Sequence, residues 1–71
     1  MKREIAQSIS HVMLDISSQL NRSFYLVKDN SSEQEYLAYR KVIAVLMEEI
    51  LVSILNPIYK EYPDLKPPGF D

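Results

Sequence analysis

His11 and Asp15 stand four residues apart. On a helix that spacing puts both on one face, where a carboxylate can orient an imidazole for general-base work. Ser8 and Ser18 lie about one turn to either side, so the outline of a Ser–His–Asp arrangement is present. Such catalysis also needs an oxyanion-stabilising group and a water-excluding pocket, and no neighbouring residue supplies either. The same spacing describes an exposed pair contributing a few tenths of a kcal/mol, and that is the reading the sequence favours.

Glu48 and Glu49 interrupt the most apolar stretch of the chain. Carboxylates inside a helical bundle can hold a di-metal centre, but that chemistry pairs each Glu with a His three residues on. Leu51 and Val52 occupy those positions. Adjacent helical residues also diverge by about 100°, so the two carboxylates cannot both point inward. A solvated face shared with Lys41, Asn56 and Lys60 is expected instead. The chain has no cysteine, which removes disulfides, thiolate nucleophiles and cysteine-ligated metals. Its one glycine, Gly69, leaves no phosphate-cradling loop in the preceding residues. No catalytic, cofactor-binding or metal-binding residue is therefore assigned.

Two surfaces have a chemistry of recognition. Tyr36, Tyr39, Tyr59, Tyr62 and Phe70 gather toward the C-terminal half, and aromatic rings with a polar tip suit interfaces. Of these, Tyr59, Tyr62 and Phe70, beside the tail prolines, form the candidate partner surface. Arg22, Lys28, Arg40 and Lys41 gather near the middle of the chain, but Asp29, Glu33 and Glu35 share that region. With a net charge of −2, nucleic acid is not an expected partner.

The elements that position these residues are helices. Ile5, Ile9, Val12, Ile16, Leu20, Phe24 and Val27 recur at steps of three or four, with Met13 beside them, which predicts a helix from about residue 3 to 27. Gln7, His11, Asp15, Ser18, Asn21 and Arg22 make its polar face, broken by Leu14 and Tyr25. Lys28-Asp29-Asn30-Ser31-Ser32 is wholly polar, and Ser32 with Glu35 fits a capping box, as Ser31 with Gln34 does one register earlier. So short a loop forces the next helix, about 33–55, to run back antiparallel. Asn56-Pro57 then reads as a stop, or as the restart of a short helix or turn over about 57–62. Ile58 through Leu65 are expected to pack back over the bundle end, and residues from Pro67 onward to be mobile, within an extended tail over 63–71.

The second helix has an apolar arc of about half its circumference, wider than the ~100° stripe of a surface helix. One antiparallel neighbour cannot cover it. The expected fold is thus all-α: a single-domain two-helix hairpin with a short C-terminal helical turn and extended tail, dimerising into a four-helix bundle. Ile43, Leu46, Met47, Ile50, Leu51 and Ile54 are the expected core or dimer-interface residues. The expected function is that of a small non-enzymatic protein–protein interaction or regulatory protein, a homodimer that also binds another protein. The alternatives are a small nucleic-acid-associated regulator, and thirdly an enzyme or ligand-binding protein with its site at the dimer interface. Val42–Leu55 is too short to span a membrane and carries two central carboxylates. The start, Met1-Lys2-Arg3-Glu4, leads into no apolar run of signal-peptide type. A cytoplasmic protein without membrane contact is expected.

Overall fold

The chain reverses at Ser31 and Ser32. The Glu35 backbone N–H donates to the Ser32 hydroxyl at 3.2 Å, while the Glu35 carboxylate accepts from the Ser32 backbone N–H at 3.3 Å and from its hydroxyl at 3.0 Å. This reciprocal cap satisfies donors that the first turn of a helix leaves unpaired. The structure, a computed structural model, describes residues 1–69. Before the cap runs α1, Arg3–Asn30; after it runs α2, Glu33–Glu49. Helix α1 continues past Val27 through the polar residues expected as loop. There the Asn30 side chain donates to the Leu26 carbonyl at 2.9 Å and takes up an acceptor of the last turn. The two long helices pack antiparallel, and no strand occurs among the described residues.

The expected break at Asn56-Pro57 is absent. A π-helical segment, Ile50–Leu55, follows α2 directly and leads into α3, Asn56–Glu61, so that one unbroken helix runs over 33–61. In the π segment the Asn56 N–H reaches back five residues to the Leu51 carbonyl. Pro57 has no N–H to continue the ladder, and in a regular helix its ring would press on the carbonyl of the preceding turn. The wider turn just before the proline relieves that crowding, so the helix bends its bonding pattern instead of ending. The length objection to a membrane span falls with the break, since the 29-residue helix Glu33–Glu61 is long and apolar enough to cross a bilayer by length and composition. The objection from Glu48 and Glu49 stands.

After Tyr62 a short 3₁₀ turn, Pro63–Leu65, folds the chain back. Ile58 and Tyr59 are buried with Ala6 and Leu55, and Tyr62 and Leu65 pack against this cluster together with Ile9, Met13, Leu14, Ile50 and Ile54. The core therefore sits at the end of the hairpin where α1 begins and α3 finishes. Inside it the hydroxyls of Ser10 and Tyr59 share a hydrogen bond of 2.6 Å, which satisfies both polar tips away from water. At the opposite end Phe24 meets Tyr25 and Tyr36 edge-on, with ring centroids 5.4 and 6.3 Å apart. There Ser23 shares a 2.7 Å hydrogen bond with the Tyr39 hydroxyl.

The buried line of α1 differs from the expected stripe. Ala6 and Ser10 are buried, and Ile9, Met13, Leu14, Ser17, Leu20, Phe24 and Val27 are half-buried, whereas Ile5, Val12 and Ile16 are exposed. At the terminal end α1 faces Leu55, Ile58 and Tyr59, which are large. Small side chains opposite large ones let the helices approach, so Ala6 and Ser10 turn inward and the bulkier Ile5 stays out. The molecule is a rod of 44 × 20 × 16 Å.

Candidate functional site

The catalytic outline on α1 does not assemble. His11 and Asp15 are both exposed, and the Asp15 carboxylate accepts from the Gln19 amide at 3.1 Å. Ser8 donates its hydroxyl to the Glu4 carbonyl of its own helix at 3.1 Å, and Ser18 is exposed. Four side chains along one solvated face have no pocket to exclude water from a reaction.

Glu48 and Glu49 are exposed, and the Glu49 carboxylate accepts from the Ser53 hydroxyl at 2.5 Å, one turn on within the π segment. Among the described residues no group of three or more His, Cys, Asp or Glu stands close enough to hold a metal. Near the turn, the Lys28 ammonium lies 6.0 Å from the centre of the Tyr25 ring, and Glu35 is committed to the cap.

The aromatic surface expected at the C-terminal end is largely consumed by folding. Tyr59 is buried, with its hydroxyl on Ser10, and is no partner surface. Tyr62 is half-buried and donates its hydroxyl to the Met1 carbonyl at 2.7 Å. Phe70, the third residue of that surface, lies outside the described residues. Beside Tyr62, Arg3 forms an ion pair with Asp64, and the Met1 ammonium lies 3.8 Å from Glu61. The hydrogen bond from Arg3 holds the Asp64 carboxyl below the usual carboxylate range and raises the Arg3 guanidinium in turn.

What the structure leaves open is apolar. Of the six expected core or interface residues, Ile43 is buried and Met47, Ile50 and Ile54 are half-buried, all turned toward the hairpin interior. Leu46 and Leu51 are exposed, and they lie on opposite sides of that buried line. On one side, Leu14 and Ser17 of α1 join Met47, Glu48 and Leu51 around a shallow groove of about 270 Å³. Val42, Val45 and Leu46 line a second shallow depression with Lys41. Composition signalled an uncovered flank on the second helix. It gave no sign that α1 leaves part of its own stripe in water, because periodicity locates a stripe but not which edge of it meets the neighbour. Compared with protein-family models, with curated proteins and with solved structures, the chain matches none.

Proposed function

We propose that this protein is a small non-enzymatic interaction module that works as a homodimeric helical bundle. One observation carries the reading. Along the most apolar part of the second helix, Val42, Val45, Leu46 and Val52 are 56%, 66%, 46% and 53% exposed. Scattered surface hydrophobes are ordinary, but a run of this kind on one helix is the mark of an association surface. A second copy supplies two more helices of the same kind and turns a two-helix layer into a four-helix bundle. The test is sedimentation at micromolar concentration. A dimeric mass is expected, and a monomeric mass with full helicity would refute the reading.

A second reading rests on the unbroken helix Glu33–Glu61, of whose most apolar window only 22% is buried. The same residues could contact a bilayer. Glu48 and Glu49 weigh against a span, because carboxylates near the middle of an apolar segment cost several kcal/mol. Flotation with lipid vesicles separates the two readings: a dimer in free solution stays at the bottom of the gradient, whereas a membrane protein rises with the lipid.

A further inference from the structure

The dimer reading leaves open which side of the hairpin meets the second copy, and the exposure of the apolar residues on the two sides decides it. Leu14 and Ser17 share the shallow groove with Met47 and Leu51, so these residues mark one broad side of the antiparallel pair. At 100° per residue, Ile5, Val12 and Ile16 fall on the other side of the α1 buried line. Val42 and Leu46 fall on the other side of the α2 buried line, and in an antiparallel pair that is the same broad side of the molecule. We infer that a second copy of this chain docks on the face made by Ile5, Val12 and Ile16 of α1 with Val42 and Leu46 of α2, and not on the groove face. The inference rests on the homodimer reading and gives it an interface.

Three observations commit the face to a second copy. Its five side chains are 52%, 48%, 37%, 56% and 46% exposed in chain order, so both helices contribute and neither is covered. The groove face has less apolar surface left to cover, since Leu14, Met47 and Ile50 are already half-buried there, and it carries the Glu48 carboxylate. On the proposed face α1 places no charged residue beside Ile5, Val12 and Ile16, and α2 places Glu49 one turn beyond Leu46, where its carboxylate accepts from the Ser53 hydroxyl. An apolar face of this kind is complementary to itself across a twofold axis, with Lys41 and Glu49 at its edge.

The area agrees. A compact protein of 8.3 kDa exposes about 4,600 Å² by the usual scaling of surface with mass, whereas this chain exposes 5399 Å². The excess, roughly 800 Å², is what one partner contributes to a stable interface of standard size. Its shape says the same, since the radius of gyration is 14.3 Å against about 11 Å for a compact domain of this length. Laying two such rods face to face brings the assembly toward a globular outline.

The absence of cysteine makes the test clean. Single variants Val12→Cys and Leu46→Cys report on the proposed face, and Leu51→Cys and Leu37→Cys on the other side. Leu37, 39% exposed, lies about four turns before Leu51 on the same flank of the second helix. Each is labelled with a maleimide above and below the dissociation concentration found by sedimentation, with helicity checked by circular dichroism. Labelling at 12 and 46 should slow by about tenfold in the concentrated sample, the ratio expected when nine-tenths of the chains are paired, and labelling at 37 and 51 should not change. Protection at 37 and 51 instead, or equally at all four positions, overturns the face while leaving the dimer intact. A wild-type chain that is monomeric at every concentration overturns the dimer itself, and this inference with it. Protection at 12 and 46 that appears only with lipid vesicles assigns the face to a bilayer and overturns the second copy. As an independent readout, Val12→Glu combined with Leu46→Glu should give a helical monomer, and a persisting dimer would refute the assignment.

Discussion

The terminal end of the hairpin and its middle treat the same kind of residue in opposite ways. At the terminal end Leu55, Ile58 and Tyr59 are buried against Ala6, a 3₁₀ turn brings Leu65 over them, and Ser10 and Tyr59 satisfy one another inside. Along the preceding turns, Val42, Val45, Leu46 and Val52 are equally hydrophobic and face water. The difference lies in the number of layers. Three segments meet at the terminal end, namely α1, α3 and the turn after it, whereas only two helices meet in the middle. A pair of cylinders touches along a line, and each keeps most of its circumference exposed. Burial in the single chain is thus concentrated at the terminal end, and exposed apolar surface in the middle.

The strongest way to break this contrast is to remove the third layer. A chain cut after Asn56 loses Ile58, Tyr59, Tyr62 and Leu65 and should lose most of its helical signal at 25 °C. A chain cut after Lys66 should melt within a few degrees of the full-length protein. Circular dichroism melts of the two truncations decide it, and similar melting temperatures would mean that the terminal end is not the main source of stability.

Point substitutions sharpen the same contrast. Leu55 is 2% exposed and Val45 66% exposed. Replacing Leu55 with Ala should cost about 2–5 kcal/mol in urea unfolding, through lost burial and the cavity left behind. Replacing Val45 with Ala should change the stability of the dissociated chain by less than about 0.5 kcal/mol. Comparable losses at the two sites would show that the middle is as tightly packed as the end. A smaller effect is expected within the core itself. In a double-mutant cycle, Ser10→Ala and Tyr59→Phe should show a coupling of about 1 kcal/mol, the net contribution of a buried neutral hydrogen bond. Strict additivity would mean that each hydroxyl is satisfied elsewhere.

The same division separates what is legible in the sequence from what is not. The turn was legible because a capping box is a local code, and Ser32 and Glu35 need only each other. The hairpin followed from it, and the packing of Ile58 through Leu65 followed from their composition. The passage through Pro57 was not legible, since a proline inside an apolar run signals a stop and only the π turn before it permits continuation. The inward turn of Ala6 and Ser10 was hidden for a different reason. Pattern reading weights large apolar residues, whereas a helix crossing beside a bulky Tyr59 selects small ones. For the chemistry-bearing residues the sequence offers only spacing, and spacing cannot tell that Asp15 is bonded to Gln19 and lies in solvent.

The smallest expected effect tests whether the terminal end is also held electrostatically. Asp64 has its carboxyl pulled below the usual range by the hydrogen bond from Arg3, with both side chains about half exposed. A group whose folded pKa is lowered stabilises the fold above its unfolded pKa, about 4 for Asp, and the contribution is lost as pH falls through the folded value. The melting temperature of the native chain should therefore exceed that of Asp64→Asn near neutral pH, and the gap should close as the solution is acidified below about pH 4. Other carboxylates titrate in the same window, so the readout is the difference between the two proteins and not either curve alone. Salt should shrink the same gap at neutral pH, because an exposed pair is screened within about 10 Å at 0.1 M. A gap that persists at pH 3 and in high salt would assign the role of Asp64 to packing of the Pro63–Leu65 turn and not to its charge.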